Sequence, residues 1–186
     1  MFTSLFHGRY NDGPNLPLKL DAQGHVLPID HNHALVHAGV VFTYSSEDSL
    51  GAVGSTLDYL IVTPADELIH IEFVLGTITQ CSLALYRSPT KSANGTLQTS
   101  LNRKDNSLKT SNLKIYKGPT ITAVGAQVFA LTCAFGIAPP QGNFWSLSQG
   151  TTYLLRLTSR AAGNISSIRL DWHKHQGGLE DSEEYS

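Results

Sequence analysis

Residues 57–73, LDYLIVTPADELIHIEF, decide the fold class. Residues 57–62 and 68–75 are two apolar runs of strand length, separated by Thr63-Pro64-Ala65-Asp66, whose proline and small polar residues break the pattern. Alternation places Ile69, Ile71, Phe73 and Leu75 on one face of the second run. The expectation is a strand pair, too apolar to be a solvated ribbon, with that face covered by other strands. The cover is expected near the chain's end, where residues 151–158 and 165–173 read as a second pair around Arg160-Ala161-Ala162-Gly163-Asn164.

Further strands follow outward from this centre. In residues 80–87, Cys81, Leu83 and Leu85 alternate with Ser82, Ala84 and Tyr86, and residues 112–117 resume the pattern before Gly118-Pro119-Thr120 turns it. Residues 125–136 are apolar enough for a core strand, although periodicity alone also allows a helix. Residues 45–56 read as a loop, and residues 88–111 as a long polar segment without secondary structure, a length that is usually functional or mobile. About eight strands with no long amphipathic helix predict an all-β fold, a jelly-roll-like two-sheet β-sandwich with an extended N-terminal arm. First and last strands often neighbour each other in such folds, which would seat Trp172 on the core face.

Three segments are expected. Residues 1–30 form the arm: Gly8, Gly13, Pro14, Pro17, Gly24 and Pro28 break it at short intervals, yet Leu16, Leu18, Leu20, Val26, Leu27 and Ile29 make it too apolar for a free linker. It should dock on a surface. Residues 31–176 form the sandwich, and residues 177–186 an acidic disordered tail.

At 186 residues the chain suits one domain with a sizeable core, and Cys81 and Cys133 read as buried thiols rather than a disulfide framework. Residues 1–10 hold Arg9 and no apolar run of signal-peptide length, and no stretch approaches the roughly 18 apolar residues of a membrane helix. A soluble protein made in a cytosol is expected, with no membrane partner. The net charge of -2 conceals an asymmetry. Residues 1–86 carry two bases against nine acids, residues 87–176 eleven bases against two acids, and the last ten residues four acids. Such a two-signed surface suits meeting its own kind or a bipolar partner. The bases between Arg87 and Lys117 lack interleaved aromatics before Tyr116, so no nucleic-acid partner is expected.

Residues 30–44, DHNHALVHAGVVFTY, put His31, His33 and His37 on one parity of an expected extended strand. A His-x-His with a third histidine four residues on is similar to part of the cupin metal motif, but the glycine spacing and a second box are missing. These histidines therefore read as packed at a strand edge or seam, with no metal and no cofactor implied. There is no Gly-x-Ser-x-Gly elbow, no His-Glu-x-x-His and no phosphate loop. Asp58, Asp66, Glu67 and Glu72 offer no persuasive acid/base pair, so no enzyme is expected.

Several short blocks carry a resemblance: Val36-His37-Ala38-Gly39, Leu57-Asp58-Tyr59 with Thr63-Pro64, Leu83-Ala84-Leu85-Tyr86, Leu101-Asn102-Arg103 leading to Asn106-Ser107, and Gly118-Pro119-Thr120. Thr151-Thr152-Tyr153, Arg160-Ala161-Ala162-Gly163 and Asp171-Trp172-His173 complete it. Across residues 30–176 the chain resembles small structural proteins of tailed bacteriophages, with Lys104-Asp105 interrupting one block. The resemblance implies a capsid decoration or cement protein, commonly a homotrimer, made in the host cytoplasm and bound on the virion's capsid exterior. There it clamps neighbouring major capsid proteins. Leu16, Leu18, Leu20, Val26, Leu27, Ile29, Arg103 and Lys104 are the candidate capsid- or subunit-contact residues, and none is catalytic. The alternative is a receptor- or carbohydrate-binding β-sandwich of a tail or head fibre, stacking sugars on Phe144, Trp145 and Tyr153.

Overall fold

The computed structural model describes residues 31–134, 136–138 and 145–174, with two short strands before them. The chain divides into two units, residues 1–34 with 176–186, and residues 35–175. In the first, β1 (His7–Gly8) pairs antiparallel with β2 (Leu16–Pro17).

Helix α1 (His31–Ala38) leads into the second unit. There follow β3 (Val41–Leu50), β4 (Thr56–Val62), β5 (Ile69–Thr77), β6 (Cys81–Arg87), β7 (Thr90–Ala93), β8 (Thr96–Leu97), β9 (Leu101–Asn102) and β10 (Lys114–Lys117). The rest are β11 (Thr120–Ala123), β12 (Ala126–Cys133), β13 (Gly136–Ala138), β14 (Trp145–Leu147), β15 (Thr152–Ser159) and β16 (Asn164–Lys174). Two large antiparallel sheets form a sandwich. Sheet I has the order β12-β6-β15-β4-β10-β8; sheet II has the order β13-β5-β16-β3-β9, with β14 sharing the outer edge of β5 with β13.

The alternation in the sequence decides what each sheet buries. Along β5 every second residue, Ile69, Ile71, Phe73 and Leu75, faces the core, joined from β16 by Ile168, Leu170 and Trp172 and from β3 by Phe42 and Tyr44. Sheet I answers with Tyr59 and Ile61, Leu83 and Leu85, and Tyr153, Leu155 and Leu157. At about 1.5–3 kcal/mol per fully buried large aliphatic, this one layer supplies most of the drive to fold. Trp172 lies on the core face as expected, between its register partners Phe42 and Ile71, and its indole N–H donates to Ser111 Oγ at 2.8 Å. Cys81 and Cys133 are buried free thiols, opposite each other in the β6–β12 register.

Four expectations are corrected. The runs 57–62 and 68–75 are strands but not a pair: β4 lies in sheet I and β5 in sheet II, and the same holds for β15 and β16. An apolar face needs an opposing apolar face, and crossing between sheets supplies one where a hairpin would set the two side by side. The crossing is fixed by Thr63, whose Oγ1 donates toward Ser148 O at 2.7 Å and accepts from Thr151 N at 2.8 Å. The histidine stretch is a helix, not a strand. Gly39, at φ +67°, ends it, with its N–H on Val36 O and the Val40 N–H on Leu35 O. Residues 45–50 continue β3 instead of looping, because Ser46 and Asp48 find polar partners inside the sandwich. The polar segment 88–111 contains β7, β8 and β9.

That segment belongs to one long ribbon. The run β6-β7-β8 lies antiparallel to β10-β11-β12, with Arg87 opposite Ala126, Ala93 opposite Thr120, and Thr96 opposite Lys117. The ribbon bends sharply twice, and at each bend the facing residues take left-handed conformations: Ser88 (φ +57°) with Gly125 (φ +84°), and Gly95 (φ +86°) with Gly118 (φ +67°). It leaves sheet I at β6 and rejoins it at β10, spanning β15 and β4. On the outer face of those two strands, the register partners Leu60 and Leu154 have no exposure at all.

Candidate functional site

The ribbon's tip, residues 98–113, crosses to the edge of sheet II, where β9 pairs with β3: Leu101 stands opposite Thr43 and Asn102 opposite Phe42. The tip then closes on the end of α1. A helix leaves its last carbonyls without intrahelical donors, and cations there also meet the negative end of the helix dipole. Here the ammonium of Lys104 donates to His37 O at 2.8 Å and that of Lys109 to Ala38 O at 2.9 Å. The Asn102 amide donates to Gly39 O at 2.9 Å, and the Arg103 N–H to Val41 O at 2.9 Å. A Cβ at Gly39 would stand 2.8 Å from Ser107 Oγ and would also be strained at φ +67°, so glycine favours this approach on both counts. The tip itself turns at Asn106 (φ +61°), a residue type that tolerates that conformation. Two blocks more than sixty residues apart in sequence, 36–39 and 101–107, therefore build one clasp.

Arg103 turns the other way. Its guanidinium reaches Asp171 Oδ2 at 3.6 Å, and Arg169 Nε approaches the same oxygen at 3.0 Å. Asp171 is 3% exposed, and its second oxygen has no hydrogen-bond partner among the described residues. Two cations on one buried carboxylate compensate part of its desolvation. Glu72 stands directly opposite Asp171 in the register, and the rings of His70 and His173, the next outward-facing pair, lie 5.2 Å apart. Further along this outer face, Ser45, Glu47, Val74, Gly76, Ser167 and Arg169 line a shallow groove of about 400 Å³. A Cβ at Gly76 would fall 2.5 Å from Ser167 Oγ, so its absence keeps the groove floor low.

Of the expected contact residues, Lys104 donates to His37 O within the clasp, while Arg103 pairs with Asp171 and stays half exposed. Leu16 stands in β2, while Leu18, Leu20, Val26, Leu27 and Ile29 lie outside the described residues, as does the tail. Leu113 anchors the tip in the core, but other leucines here stand in solvent: Leu108 is 98% exposed, Leu101 64%, and Leu97 on β8 58%. The lysine caps are hidden in the sequence because they require α1, where the histidine parity predicts a strand. The groove is hidden because residues 45–47 read as a loop. The signal was present in the Ala38-Gly39 step, a helix stop.

Two of the three aromatics expected for sugar stacking have partners within the protein. Tyr153 is 4% exposed and its hydroxyl accepts the Ser148 N–H at 3.0 Å; Trp145 lies against Phe129 with ring centroids 5.3 Å apart; Phe144 is outside the described residues. His33 and His37 sit one helical turn apart, and among the described residues no group of three or more His, Cys, Asp or Glu is arranged to hold a metal ion. Compared with known proteins, the chain matches no protein-family model and is significantly similar to no curated protein.

Proposed function

We propose that this protein is a structural component of a tailed-phage virion, a decoration or cement protein that binds the capsid exterior and clamps neighbouring major capsid subunits. The observation that carries this reading is the clasp. The sandwich uses two lysines, an asparagine and a glycine to hold the C-terminal end of α1, the helix whose N-terminal end, His31, joins residues 1–30. A fixed root is what an anchoring arm requires, since it reduces the ordering cost when the arm's aliphatic residues dock. The exposed Leu101 and Leu108 beside the root extend the docking surface.

The jelly-roll reading is supported by strand order. Setting aside the ribbon's additional strands, one sheet runs β3-β16-β5-β13/β14 and the other β4-β15-β6-β12, with successive strands of the first four alternating between sheets. That is the order of two interleaved Greek keys, an architecture frequent in virion proteins. A homotrimer on the lattice would multiply weak arm contacts through avidity.

The test compares full-length protein with a variant lacking residues 1–29 in sedimentation with capsids that carry no decoration protein, with circular dichroism reporting the fold. The truncated form should stay folded and lose binding. Equal binding by both forms removes the arm as the anchor, and binding by neither removes the capsid as the partner.

A further inference from the structure

Every sheet that is not closed ends in strands whose outer N–H and C=O groups lack a neighbour, and proteins blunt such edges with charge, proline or brevity. In the two large sheets, the edges β8, β9, β13 and β14 are two or three residues long. The fifth is different. Strand β12, Ala126–Cys133, is eight residues long, ends the order of sheet I, and reads AQVFALTC, without a charge or a proline. Its one irregularity lies between Gln127 and Phe129, so residues 129–133 run in regular register with β6. Gln127, Val128, Ala130 and Thr132 are exposed. Beside them an apolar crevice opens between the sheets, lined by Phe73, Leu83, Phe129, Leu131 and Trp145.

We infer that β12 is an interface for a second copy of this chain, the two strands pairing antiparallel about a two-fold axis to continue sheet I from one subunit into the next. Three features favour a copy of itself as the occupant. An antiparallel strand is complementary to its own two-fold image, so each outer N–H meets a carbonyl without any second surface having to match. The strand carries no charge, so apposition of identical sequences brings no like charges together. The small side chains of Ala130 and Thr132 leave the neighbouring backbone free to approach, while the half-buried Phe129, Leu131 and Trp145 lose their remaining exposure. A two-fold contact differs from the three-fold one expected of a trimer, and it stands independently of the capsid reading.

The experiment is light scattering coupled to size exclusion on the full chain across a concentration series, comparing wild type with Ala130→Lys and Ala130→Glu. Residue 130 is exposed, so both variants should keep the wild-type circular dichroism spectrum. Wild type should show a species of twice the 20.2 kDa chain mass, or of twice the trimer mass where the three-fold contact forms as well. Each variant alone should need about tenfold or more higher concentration to form it, and an equimolar mixture of the two should recover it through opposite charges across the axis. A wild type that stays monomeric overturns the inference. So does a trimer, or a dimer, whose midpoint neither substitution moves.

Discussion

The Tyr59 hydroxyl on β4 donates a 2.9 Å hydrogen bond to Asp48 Oδ2 on β3, tying sheet I to sheet II through the interior. Ser46 donates to the same oxygen at 2.6 Å, and the Lys117 ammonium on β10 binds the other. Burial by itself raises a carboxyl's pKa, but the hydrogen bonds from Lys117, Ser46 and Tyr59 together with the Lys117 charge win, and hold Asp48 below its usual range. Burial, with this carboxylate beside it, pushes the Tyr59 phenol well above the ordinary tyrosine value. A depressed acid stabilises the fold above its unfolded pKa, near 3.8, and that contribution is lost as pH falls through the lower folded value. Asp48→Asn should therefore cost about 1–3 kcal/mol at neutral pH, because Lys117 loses its counter-charge and an NH2 group replaces one of the two oxygens that accept from Lys117, Tyr59 and Ser46. It should also flatten the loss of stability below about pH 4. Urea melts at a series of pH values measure both, and parallel pH profiles for the two proteins would refute the assignment.

The same Asp48 explains what the sequence concealed. Alternating apolar residues made β5, β6, β15 and β16 legible, since period two is imposed by the pleat itself. The second half of β3, Ser45-Ser46-Glu47-Asp48-Ser49, has no apolar residue to alternate, and its inward positions are satisfied by partners from distant strands. Partition of strands between sheets was equally hidden: Thr63-Pro64 reads as a turn whether the chain reverses within a sheet or crosses between two. The clasp was half legible. Its two blocks stood out as sequence, but their meeting depends on the ribbon's path, which no local pattern states.

Removing the lysine caps should loosen the clasp and leave the sandwich intact. Lys104→Met with Lys109→Met withdraws both donors from the α1 carbonyls and both cations from the helix end, each contributing about 0.3–1 kcal/mol. Hydrogen exchange should quicken at Gly39 and Val40, whose amides hold the helix end, while Leu155 and Leu157 on the central β15 stay protected. Capsid sedimentation should weaken in the same variant if the arm's root must be fixed. Unchanged exchange at residues 39 and 40 would show that the Gly39 turn holds without the lysines.

The ribbon's bends make opposite predictions for two facing residues. Gly125 has φ +84°, and a Cβ there would stand 2.2 Å from Arg87 O and 2.9 Å from the Ser88 carbonyl carbon, both backbone atoms that no rotamer change can move. Gly125→Ala should therefore destabilise by about 2 kcal/mol or more, through strain at φ and through displacement of β12 from β6. Ser88 already bears a side chain at φ +57°, where an L-residue other than glycine or asparagine costs about 1–2 kcal/mol. Ser88→Gly relieves that cost and returns about 0.5–1 kcal/mol as extra unfolded-state freedom, so it should be neutral or stabilising by up to about 1 kcal/mol. Its backbone bond, Ser88 N–H to Thr152 O at 2.9 Å, is untouched by the change. Denaturant melts of the two single variants decide the matter. If both lose stability equally, the bend is set by packing over Leu60 and Leu154 and not by the left-handed pair. If only Gly125→Ala loses it, the chain can cross its own sheet because two facing residues take a conformation that one of them, as serine, adopts at a cost.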